Sequence, residues 1–331
     1  MNIVITGGMG FIGANLAINL SQNNKIIIID NLLRKENKKN YKKLKDISQI
    51  FIEDVSSIKK IKNIDCILHL ASDPSVMAGI SYKSNIIKNN IQSTFECLEI
   101  CKDRKIPLIF FSSSRVYPIE TINNLKYERQ KKRFNLISSK KGIKKGGFNE
   151  NFDLNGLKSI YGFSKYSSEQ LIFEYAKIFD FKFIINRLGL TSGYLQNGHI
   201  NQGILSFMVK KWVNREKFDV IGYNGYQVRD ILNVHDLCNL ISKQIETFSS
   251  KKFLNKIYNV GGGLNFSYSL NQIIQVLDKM IGLNPKLGYI DQKRLVDIKY
   301  YVTDNTKVMN DFDWYPKLDI SHTIKDIIKS V

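Results

Sequence analysis

The sequence lacks paired cysteines. Its four cysteines are Cys66, Cys97, Cys101 and Cys238, and no two of them form a Cys-x-x-Cys pair. Spacings of that kind are typical of structural zinc sites and redox-active dithiols. We therefore expect free thiols in a reducing compartment, with neither a disulfide framework nor a metal site.

Long apolar runs are missing as well. No stretch approaches the roughly 20 consecutive apolar residues that span a bilayer. The first residues, MNIVITGG, have the pattern of a strand and not that of a secretory leader with its charged start and apolar middle. The sequence thus predicts a cytoplasmic protein with no membrane partner.

Acidic residues are few in comparison with basic ones. Asp and Glu number 30 against 49 Lys and Arg, which gives a net charge of +19. Such an excess suits a nucleic acid, an acidic membrane surface or a phosphorylated substrate. The lysines are scattered in small clusters and no nucleic-acid-binding motif is present, so we do not expect a nucleic-acid partner.

Strand-type and helix-type stretches alternate in the first half of the chain. The apolar strand-type stretches are Asn2–Thr6, Lys25–Ile29, Gln49–Ile52, Cys66–Leu70, Pro107–Ser112 and, later, Lys182–Arg187. The stretches with helical periodicity are Phe11–Gln22, Ile86–Lys102 and Tyr161–Phe179. This alternation predicts an α/β fold with a doubly wound parallel (Rossmann) sheet, together with a smaller interleaved C-terminal substrate domain.

Glycines follow the first strand. The stretch TGGMGFIG contains Gly8-x-Gly10-x-x-Gly13 and also Gly7-x-x-Gly10-x-x-Gly13. Between a strand and a helix, such glycines allow a tight turn and the close approach of a pyrophosphate, while the helix N-terminus supplies N–H donors and partial positive charge. The stretch therefore predicts a dinucleotide site.

An acidic residue ends the next strand. Asp30 lies 17 residues after Gly13, where a carboxylate can accept hydrogen bonds from the adenosine ribose and so favours NAD over NADP. Arg34 is close in sequence and could attract a 2′-phosphate, and a solvated strand end is the alternative interpretation of Asp30. We predict NAD as the cofactor.

The domain boundaries follow from these patterns. We expect residues 1–187 to form the NAD-binding Rossmann domain, completed by about 231–262. Residues 188–230 and 263–331 are then the substrate-binding domain. The stretch 119–158 is charged and rich in Lys and Asn, and we expect a loop excursion there.

A tyrosine and a lysine share one face of a predicted helix. Tyr161 and Lys165 are four residues apart in SIYGFSKYSSEQ, which places them on the same side. A lysine ammonium beside a phenol stabilises the phenolate and lowers the pKa of the tyrosine. Such a tyrosine can take a proton from a sugar hydroxyl and return it, although the spacing alone is also common in surface pairs.

Several stretches, taken in order, resemble the extended short-chain dehydrogenase/reductase superfamily, specifically its NAD-dependent nucleotide-sugar epimerases and dehydratases. They cover nearly the whole chain and are TGGMGFIG, DNL at 30–32, EDV at 53–55, HLAS at 69–72, NNIQST at 89–94, SSSRVY, YGFSK and VRDILNVHDL at 228–237. The resemblance implies an enzyme of carbohydrate biosynthesis, such as that of lipopolysaccharide, and a homodimer formed through the helices at about 86–102 and 161–179.

The same resemblance implies roles for individual residues. Cofactor contacts are implied for Gly7, Gly10, Phe11, Ile12, Gly13, Asp30, Asn31, Asp54, Val55, Leu70, Ala71, Ser72, Asn90, Tyr161 and Lys165. Catalytic roles are implied for Ser113, Tyr161 and Lys165, with Tyr161 as the base. Substrate contacts are implied for Ser113, Ser114, Gln202 and Arg229. Arg229 matches the arginine that binds substrate phosphates, and a structural pair with Asp230 is its alternative interpretation.

The second half is similar to CDP-tyvelose (CDP-paratose) 2-epimerases, in the stretches DNLLR, GFNENF, RLGLTSGYLQNGHINQGI and YNGYQVRD. This similarity implies that C2 of a CDP-linked sugar is oxidised by bound NAD and then reduced from the other face. A nucleotide-sugar 4-epimerase is an alternative, although Pro118, Leu190 and Asn233 depart from its usual pattern.

Residues 114 and 115 bear on the reaction type. A 4,6-dehydratase commonly has Asp-Glu at this place in order to remove water, and this chain has Ser114-Arg115. An arginine cannot act as a general acid or base near neutral pH. We therefore favour an epimerase, while a 4,6-dehydratase, a 4-reductase and a non-catalytic NAD- or RNA-binding protein on the same fold stay as alternatives.

Overall fold

The computed structural model of the chain describes residues 1–74, 85–199, 202–250, 252, 254–282, 285–291 and 296–330. The chain divides into two compact units. Unit 1 comprises Met1–Ser113, Ile160–Arg187 and Leu237–Tyr258, and unit 2 comprises Ser114–Ser159, Leu188–Asp236 and Asn259–Val331.

The strands and helices are numbered along the chain. The strands are β1 (Asn2–Thr6), β2 (Lys25–Ile29), β3 (Ser48–Phe51), β4 (Cys66–His69), β5 (Leu108–Ser113), β6 (Tyr127–Gln130), β7 (Arg133–Leu136), β8 (Ile143–Lys144), β9 (Gly147–Phe148), β10 (Phe183–Leu188), β11 (Leu190–Ser192), β12 (Phe218–Ile221), β13 (Val228–Asn233), β14 (Lys256–Val260), β15 (Ser267–Ser269), β16 (Leu287–Ile290) and β17 (Tyr300–Tyr301). The α-helices are α1 (Phe11–Leu20), α2 (Tyr41–Leu44), α3 (Ser93–Arg104), α4 (Ile119–Asn123), α5 (Ile160–Phe179), α6 (Ile204–Val213), α7 (Val234–Ser250), α8 (Leu270–Ile281), α9 (Thr306–Phe312) and α10 (Ile320–Ile328).

The predicted doubly wound sheet is confirmed. Seven strands lie in the order β14-β10-β5-β4-β1-β2-β3, and β1 to β5 pair in parallel. The order reverses on either side of β1 and β4, so the carboxyl ends of these neighbouring strands flank a switch point, where open α/β sheets bind ligands. The sheet therefore places the glycine-rich loop after β1 at the position that a dinucleotide needs.

Burial of both sheet faces explains the apolar strands. In β2, the four consecutive isoleucines that follow Lys25 are all buried, as expected for a parallel strand covered by helices on both sides. One core cluster unites side chains from the strands and helices of unit 1, among them Val4, Ile67, Leu98, Phe110, Ile172 and Ile185.

Unit 2 has its own sheet and core. Strand β13 is central, pairing with β11 and β17 in parallel and with β15 in the antiparallel sense. Strands β12 and β16 form a separate parallel pair. Helices α6, α8 and α10 contribute a second core cluster, which includes Leu205, Trp212, Ile274, Leu277 and Ile324.

The expectation of a loop excursion at 119–158 is wrong in part. Helix α4 and two hairpins, β6–β7 and β8–β9, lie in this stretch. The turn of the first hairpin has Lys131 at φ +48°, a conformation that usually calls for Gly, Asn or Asp. A lysine at that position gives no turn signal, so the hairpin could not be seen in the sequence.

This stretch also belongs to unit 2, although the sequence placed it within a domain of residues 1–187. The reason is backbone pairing. The N–H of Phe148 donates to the carbonyl of Val302 at 2.8 Å, and the N–H of Phe134 donates to the carbonyl of Tyr226 at 3.0 Å. The hairpins therefore extend the unit that contains β13 and β17.

The four cysteines are free and buried. Burial raises the pKa of the Cys66 thiol, and it raises the pKa of Cys238 to about 12. Among the described helices, none combines the length and apolar character required to cross a bilayer. Within the same part of the chain, no three His, Cys, Asp or Glu side chains come together as a metal-binding group.

Candidate active site

The glycine-rich loop forms a tight cradle between β1 and α1. Gly7 has φ +66°, and a Cβ there would lie 2.9 Å from the backbone N of Ala71. A Cβ on Gly13 would lie 2.6 Å from the carbonyl O of Gly7. Side chains at these positions would force the backbone segments apart. Helix α1 begins after Gly10 with no side-chain hydrogen bond at its cap, so no cap side chain competes with a phosphate for its first N–H groups.

Asp30 lies at the carboxyl end of β2 and fastens the cradle. Its carboxylate accepts hydrogen bonds from the N–H of Met9 at 3.0 Å and from the N–H of Leu32 at 2.9 Å. Burial raises the pKa of Asp30, and these two hydrogen bonds act in the opposite direction. A carboxylate oxygen can accept more than one hydrogen bond, so both contacts are compatible with a ribose hydroxyl as a further donor.

Arg34 pairs with an acidic side chain. Its guanidinium lies 3.4 Å from the carboxylate of Asp73, and both side chains are partly buried. A paired guanidinium is less available to a 2′-phosphate than a solvated one. Together with Asp30 and the glycine cradle, this pair fits NAD as the dinucleotide.

The loop after β4 is tied to both the cradle and helix α5. Thr6 Oγ1 accepts hydrogen bonds from the N–H groups of Leu70 and Ala71, each at 3.2 Å. Asn90, 1% exposed, donates to Ser164 Oγ at 2.9 Å. Ser164 in turn donates to the carbonyl O of Tyr161 at 2.8 Å. The first two hydrogen bonds connect the loop after β4 to β1, and the other two connect Asn90 to the backbone of Tyr161.

The remaining predicted cofactor residues lie at the ends of the neighbouring strands. Asn31 donates from its amide to Asp54 Oδ1 at 2.7 Å, so the loops after β2 and β3 are joined. Val55 is buried, and Ser72 donates to the carbonyl O of Leu70 at 3.2 Å. All of these residues, together with Phe11 and Ile12 at the start of α1, belong to unit 1.

Tyr161 and Lys165 both lie on α5 and both are buried. The Lys165 ammonium donates to the carbonyl O of Phe111 at 2.9 Å and lies 4.8 Å from the centre of the Phe110 ring. Burial lowers the pKa of Lys165 to about 7, and the charge of Glu169 acts against that decrease. Unit 1 therefore holds the lysine at the carboxyl end of β5, the strand whose last residue is Ser113.

An ion pair that the sequence analysis missed lies beside Lys165. The Arg187 guanidinium is 2.7 Å from Glu169 Oε2, with side chains 3% and 0% exposed. Ser112 donates from its hydroxyl to the same carboxylate. Glu169 falls one helical turn after Lys165, so a charged residue at that spacing was the available signal.

A neutral histidine was missed as well. His69 is buried at the end of β4, with Nδ1 2.8 Å from Thr6 Oγ1 and Nε2 3.2 Å from Thr94 Oγ1. Burial, together with the charge of Lys165, lowers the pKa of His69 to about 3. The ring thus joins the strand of the cradle to α3 without carrying charge.

Unit 2 contains the predicted phosphate ligand, Arg229, on β13. The guanidinium donates to Asp297 Oδ1 at 3.2 Å, to the carbonyl O of Ile298 at 2.7 Å and to the carbonyl O of Val228 at 2.7 Å. Asp230, the alternative partner considered from the sequence, accepts instead from the N–H groups of Gly263 and Thr303. The ion pair of Arg229 is therefore with Asp297.

The other predicted substrate residues of unit 2 lie in turns. Ser114 begins a short 3₁₀ turn, and its carbonyl O accepts from the N–H of Tyr117 at 3.2 Å. Gln202 exchanges two backbone hydrogen bonds with His199, at 2.8 and 2.9 Å. Their contacts with substrate stay predictions.

Comparison with known proteins agrees with these features. The model of a family described as the NAD dependent epimerase/dehydratase family matches residues 3–261. CDP-paratose 2-epimerase from Salmonella typhi is 27% identical over 334 residues, which cover 96% of this chain and 95% of that protein. A putative UDP-glucose 4-epimerase from Methanocaldococcus jannaschii is 26% identical, with 98% of this chain and 97% of that protein covered.

Solved structures share the fold. UDP-glucuronic acid 4-epimerase from Bacillus cereus, in complex with UDP-glucuronic acid and NAD, superposes with a TM-score of 0.83 at 23% identity, covering 100% of this chain and 98% of that one. UDP-glucose 4-epimerase from Thermotoga maritima, with UDP-glucose, superposes with a TM-score of 0.81 at 21% identity, again covering 100% and 98%. At such identities the likeness establishes the fold.

Proposed function

Since the chain belongs to the NAD-dependent epimerase/dehydratase family, we propose that it is an epimerase that inverts one carbon of a nucleotide sugar through a keto-sugar. The favoured form is a CDP-sugar 2-epimerase. Support comes from the 27% identity to CDP-paratose 2-epimerase over nearly the full length of both proteins. The family itself makes the chain an NAD-dependent enzyme of nucleotide-sugar conversion.

Arg115 is the observation that carries the choice of epimerase over dehydratase. A 4,6-dehydratase must remove water, and that step needs a titratable acid–base pair. Arg115 cannot titrate near neutral pH. Its guanidinium donates to the carbonyl O of Val296 at 2.9 Å, as a permanently charged hydrogen-bond donor does. The residue therefore suits a reaction without loss of water.

In the proposed mechanism, Tyr161 is the group that accepts the proton of the sugar hydroxyl. Its phenolate takes the proton of the sugar hydroxyl as the carbonyl forms and returns it when the hydroxyl is restored, so the proton balance closes over the cycle. Ser113 binds the same oxygen through its hydroxyl, and the Lys165 ammonium stabilises the phenolate. NAD, when bound, supplies the hydride acceptor and donor at the sugar carbon.

We assign the cofactor to unit 1 and the phosphates of the substrate to Arg229 in unit 2. The glycine cradle, Asp30 and the Arg34–Asp73 pair support the first assignment. Arg229 supports the second because a guanidinium fork matches the geometry of phosphate oxygens.

The test is turnover of a panel of CDP-, UDP-, GDP- and dTDP-sugars, with configuration followed by NMR. We expect inversion at C2 of a CDP-linked sugar and no net change in NAD. Inversion at C4 would replace the proposed 2-epimerase by a 4-epimerase while retaining the mechanism. A 4-keto-6-deoxy product, or no conversion of any sugar in the panel, would contradict the epimerase proposal.

A further inference from the structure

Two arginines of unit 2 are anchored on one short segment. Arg115 donates to the carbonyl O of Val296 at 2.9 Å. Arg229 donates to the carbonyl O of Ile298 at 2.7 Å and to the carboxylate of Asp297 at 3.2 Å. The two guanidinium groups are thus fixed to residues 296, 297 and 298 from strands and turns that are far apart in the chain. We propose that Arg115 is a further ligand of the substrate diphosphate beside Arg229, whose phosphate role belongs to the proposed function on which this inference rests.

The segment that joins the arginines is held firmly. Asn123, at the end of α4, donates to the carbonyl O of Asp297 at 2.9 Å and accepts from the N–H of Lys299 at 2.8 Å. The Lys299 ammonium donates to the carbonyl O of Asn123 at 2.9 Å. Residues 114–123, which include Arg115, are therefore fastened to the segment near Arg229. Groups fixed before binding lose little conformational freedom when an anion arrives.

The hydrogen bonds of Arg229 leave capacity for an anion. A guanidinium carries five N–H donors. Within the part of the chain that the structure describes, Arg229 donates one hydrogen bond to Val228, one to Asp297 and one to Ile298. Asp297 is also bound by the N–H of Ile298, at 3.0 Å, so this carboxylate is part of the frame that orients the guanidinium.

Electrostatics favours a doubly charged ligand at this place. Burial lowers the pKa of Arg229 to about 10, and the positive charge of Arg115 acts in the same direction, while the charge of Asp297 opposes both. Neighbouring guanidinium groups that repel each other are stabilised by an anion that binds both. The diphosphate of a nucleotide sugar, with two negative charges, matches two arginines in number and sign.

This arrangement gives Arg115 a binding role. The residue stands in the place where a dehydratase would have an acid, and the structure directs it to the same segment as Arg229. Arg115 is therefore a specificity-determining residue for a diphosphate ligand, and its guanidinium does not release a proton near neutral pH.

The experiment is isothermal titration of the full-length, NAD-loaded protein with CDP, UDP and cytidine. We compare the wild type with Arg115→Gln and Arg229→Gln. Loss of one charge-assisted contact should weaken nucleoside diphosphate binding about 10- to 100-fold in each variant. Cytidine has no phosphate, so its affinity should not change. Arg104→Gln is the matched control, because Arg104 also binds a backbone carbonyl, that of Lys59 at 2.8 Å, but lies in unit 1.

The outcomes separate the site from the reaction. Unchanged diphosphate affinity in Arg115→Gln, with weaker binding in Arg229→Gln, would overturn the proposal, as would a wild type that binds neither CDP nor UDP. Tight binding that depends on both arginines, but without conversion of any sugar, would retain the site and remove the proposed epimerase. Should Arg115→Gln not fold, Arg115→Lys keeps the charge without the fork, and a loss of diphosphate affinity of at least several-fold is expected there. An unchanged affinity in that variant would overturn the forked contact.

Discussion

Lys165 is a charged group in a place where charge is costly. Its side chain is buried on α5, and its ammonium donates to the backbone carbonyl of Phe111. Burial brings the pKa of Lys165 down to about 7, and Glu169 limits the decrease. The protonated and neutral forms of the amine are therefore both populated near neutral pH. Shifted pKa values of this kind are typical of residues in active sites.

Replacing Tyr161 by Phe removes only the hydroxyl of the proposed base. We expect turnover to fall by about 100- to 10,000-fold, because that hydroxyl takes and returns the proton of the substrate. NAD should stay bound, since its cradle after β1 is not altered. Turnover measured by NMR, with NAD content measured on the same sample, tests this. Substantial residual epimerisation would show that another group is the base.

Replacing Lys165 by Met should stabilise the protein in a pH-dependent way. The folded pKa of about 7 lies below the ordinary pKa of a lysine, so the unfolded chain binds more protons between these two values and wild-type stability rises with pH in that window. The stabilising effect of Met should thus be largest below about pH 7 and shrink as the pH rises towards 10. Melting temperatures of both proteins from pH 6 to 10 check it.

A gain in stability that does not vary with pH would contradict the buried charge as its cause. Lys165→Met should also lose turnover, because the phenolate of Tyr161 then lacks its neighbouring cation. Lys177→Met, near the other end of α5, is the matched control. Because Lys177 is exposed, its replacement removes no buried charge, so the stabilisation expected for Lys165→Met at pH 6 should be absent.

Individual roles were predictable where the signal is local in sequence. The spacing of Tyr161 and Lys165 is read directly from one helix, and the structure places both on α5 and buries them. The partner of Arg229 was not predictable, because Asp297 lies 68 residues further along the chain. Only the assembled sheet of unit 2 determines which carboxylate meets that guanidinium.

Helix α5 is attached to the central sheet by a buried ion pair. Glu169 on α5 binds Arg187 on β10, and the hydroxyl of Ser112 on β5 donates to the same carboxylate. These contacts hold the helix with Tyr161 against two strands. Because the pair is fully enclosed, each charge depends on the other for its solvation.

Glu169→Gln should therefore destabilise the protein by about 3–5 kcal/mol, since it leaves a buried guanidinium without its counter-charge. The double variant Glu169→Gln with Arg187→Met removes both charges and should be more stable than the single variant. Denaturant unfolding curves of the wild type, Glu169→Gln, Arg187→Met and the double variant give the coupling energy. Additive effects of the two changes would show that the ion pair does not join α5 to β10.

Elements of regular pattern were predicted closely, and irregular ones were not. Predicted strand Cys66–Leu70 is found as Cys66–His69, and predicted helix Tyr161–Phe179 as Ile160–Phe179. The hairpin β6–β7 was missed because its turn has Lys131 at positive φ. The hairpin β8–β9 has Gly146 at positive φ in its turn, but its strands are only two residues long and show no strand pattern. Residues with no preference for a turn are held in one there by strand pairing within the folded protein. A single sequence does not show that pairing.

For the whole molecule we propose a homodimer formed through α3 and α5. Phe163 and Ile178 on α5 are 54% and 67% exposed, and Phe95 on α3 is 39% exposed. Large apolar side chains concentrated on two helices are typical of an interface. Light scattering should give twice the 38.2 kDa mass of the chain.

The variant Phe163→Glu with Ile178→Lys should shift that mass towards the monomer, because charges in an apolar interface are costly to bury. The control is Leu264→Glu, which changes a residue of unit 2 that is 53% exposed and lies outside both helices. A wild type that scatters as a monomer would contradict the proposal.

The burial of the cysteines offers a practical advantage for spectroscopy. All four cysteines, Cys66, Cys97, Cys101 and Cys238, are buried. Reagents such as maleimides should therefore leave their thiols unmodified in the folded protein. A cysteine introduced at the surface would then be the preferred site for a fluorophore or spin label. Distances between labels could be measured during catalysis without first removing the natural thiols.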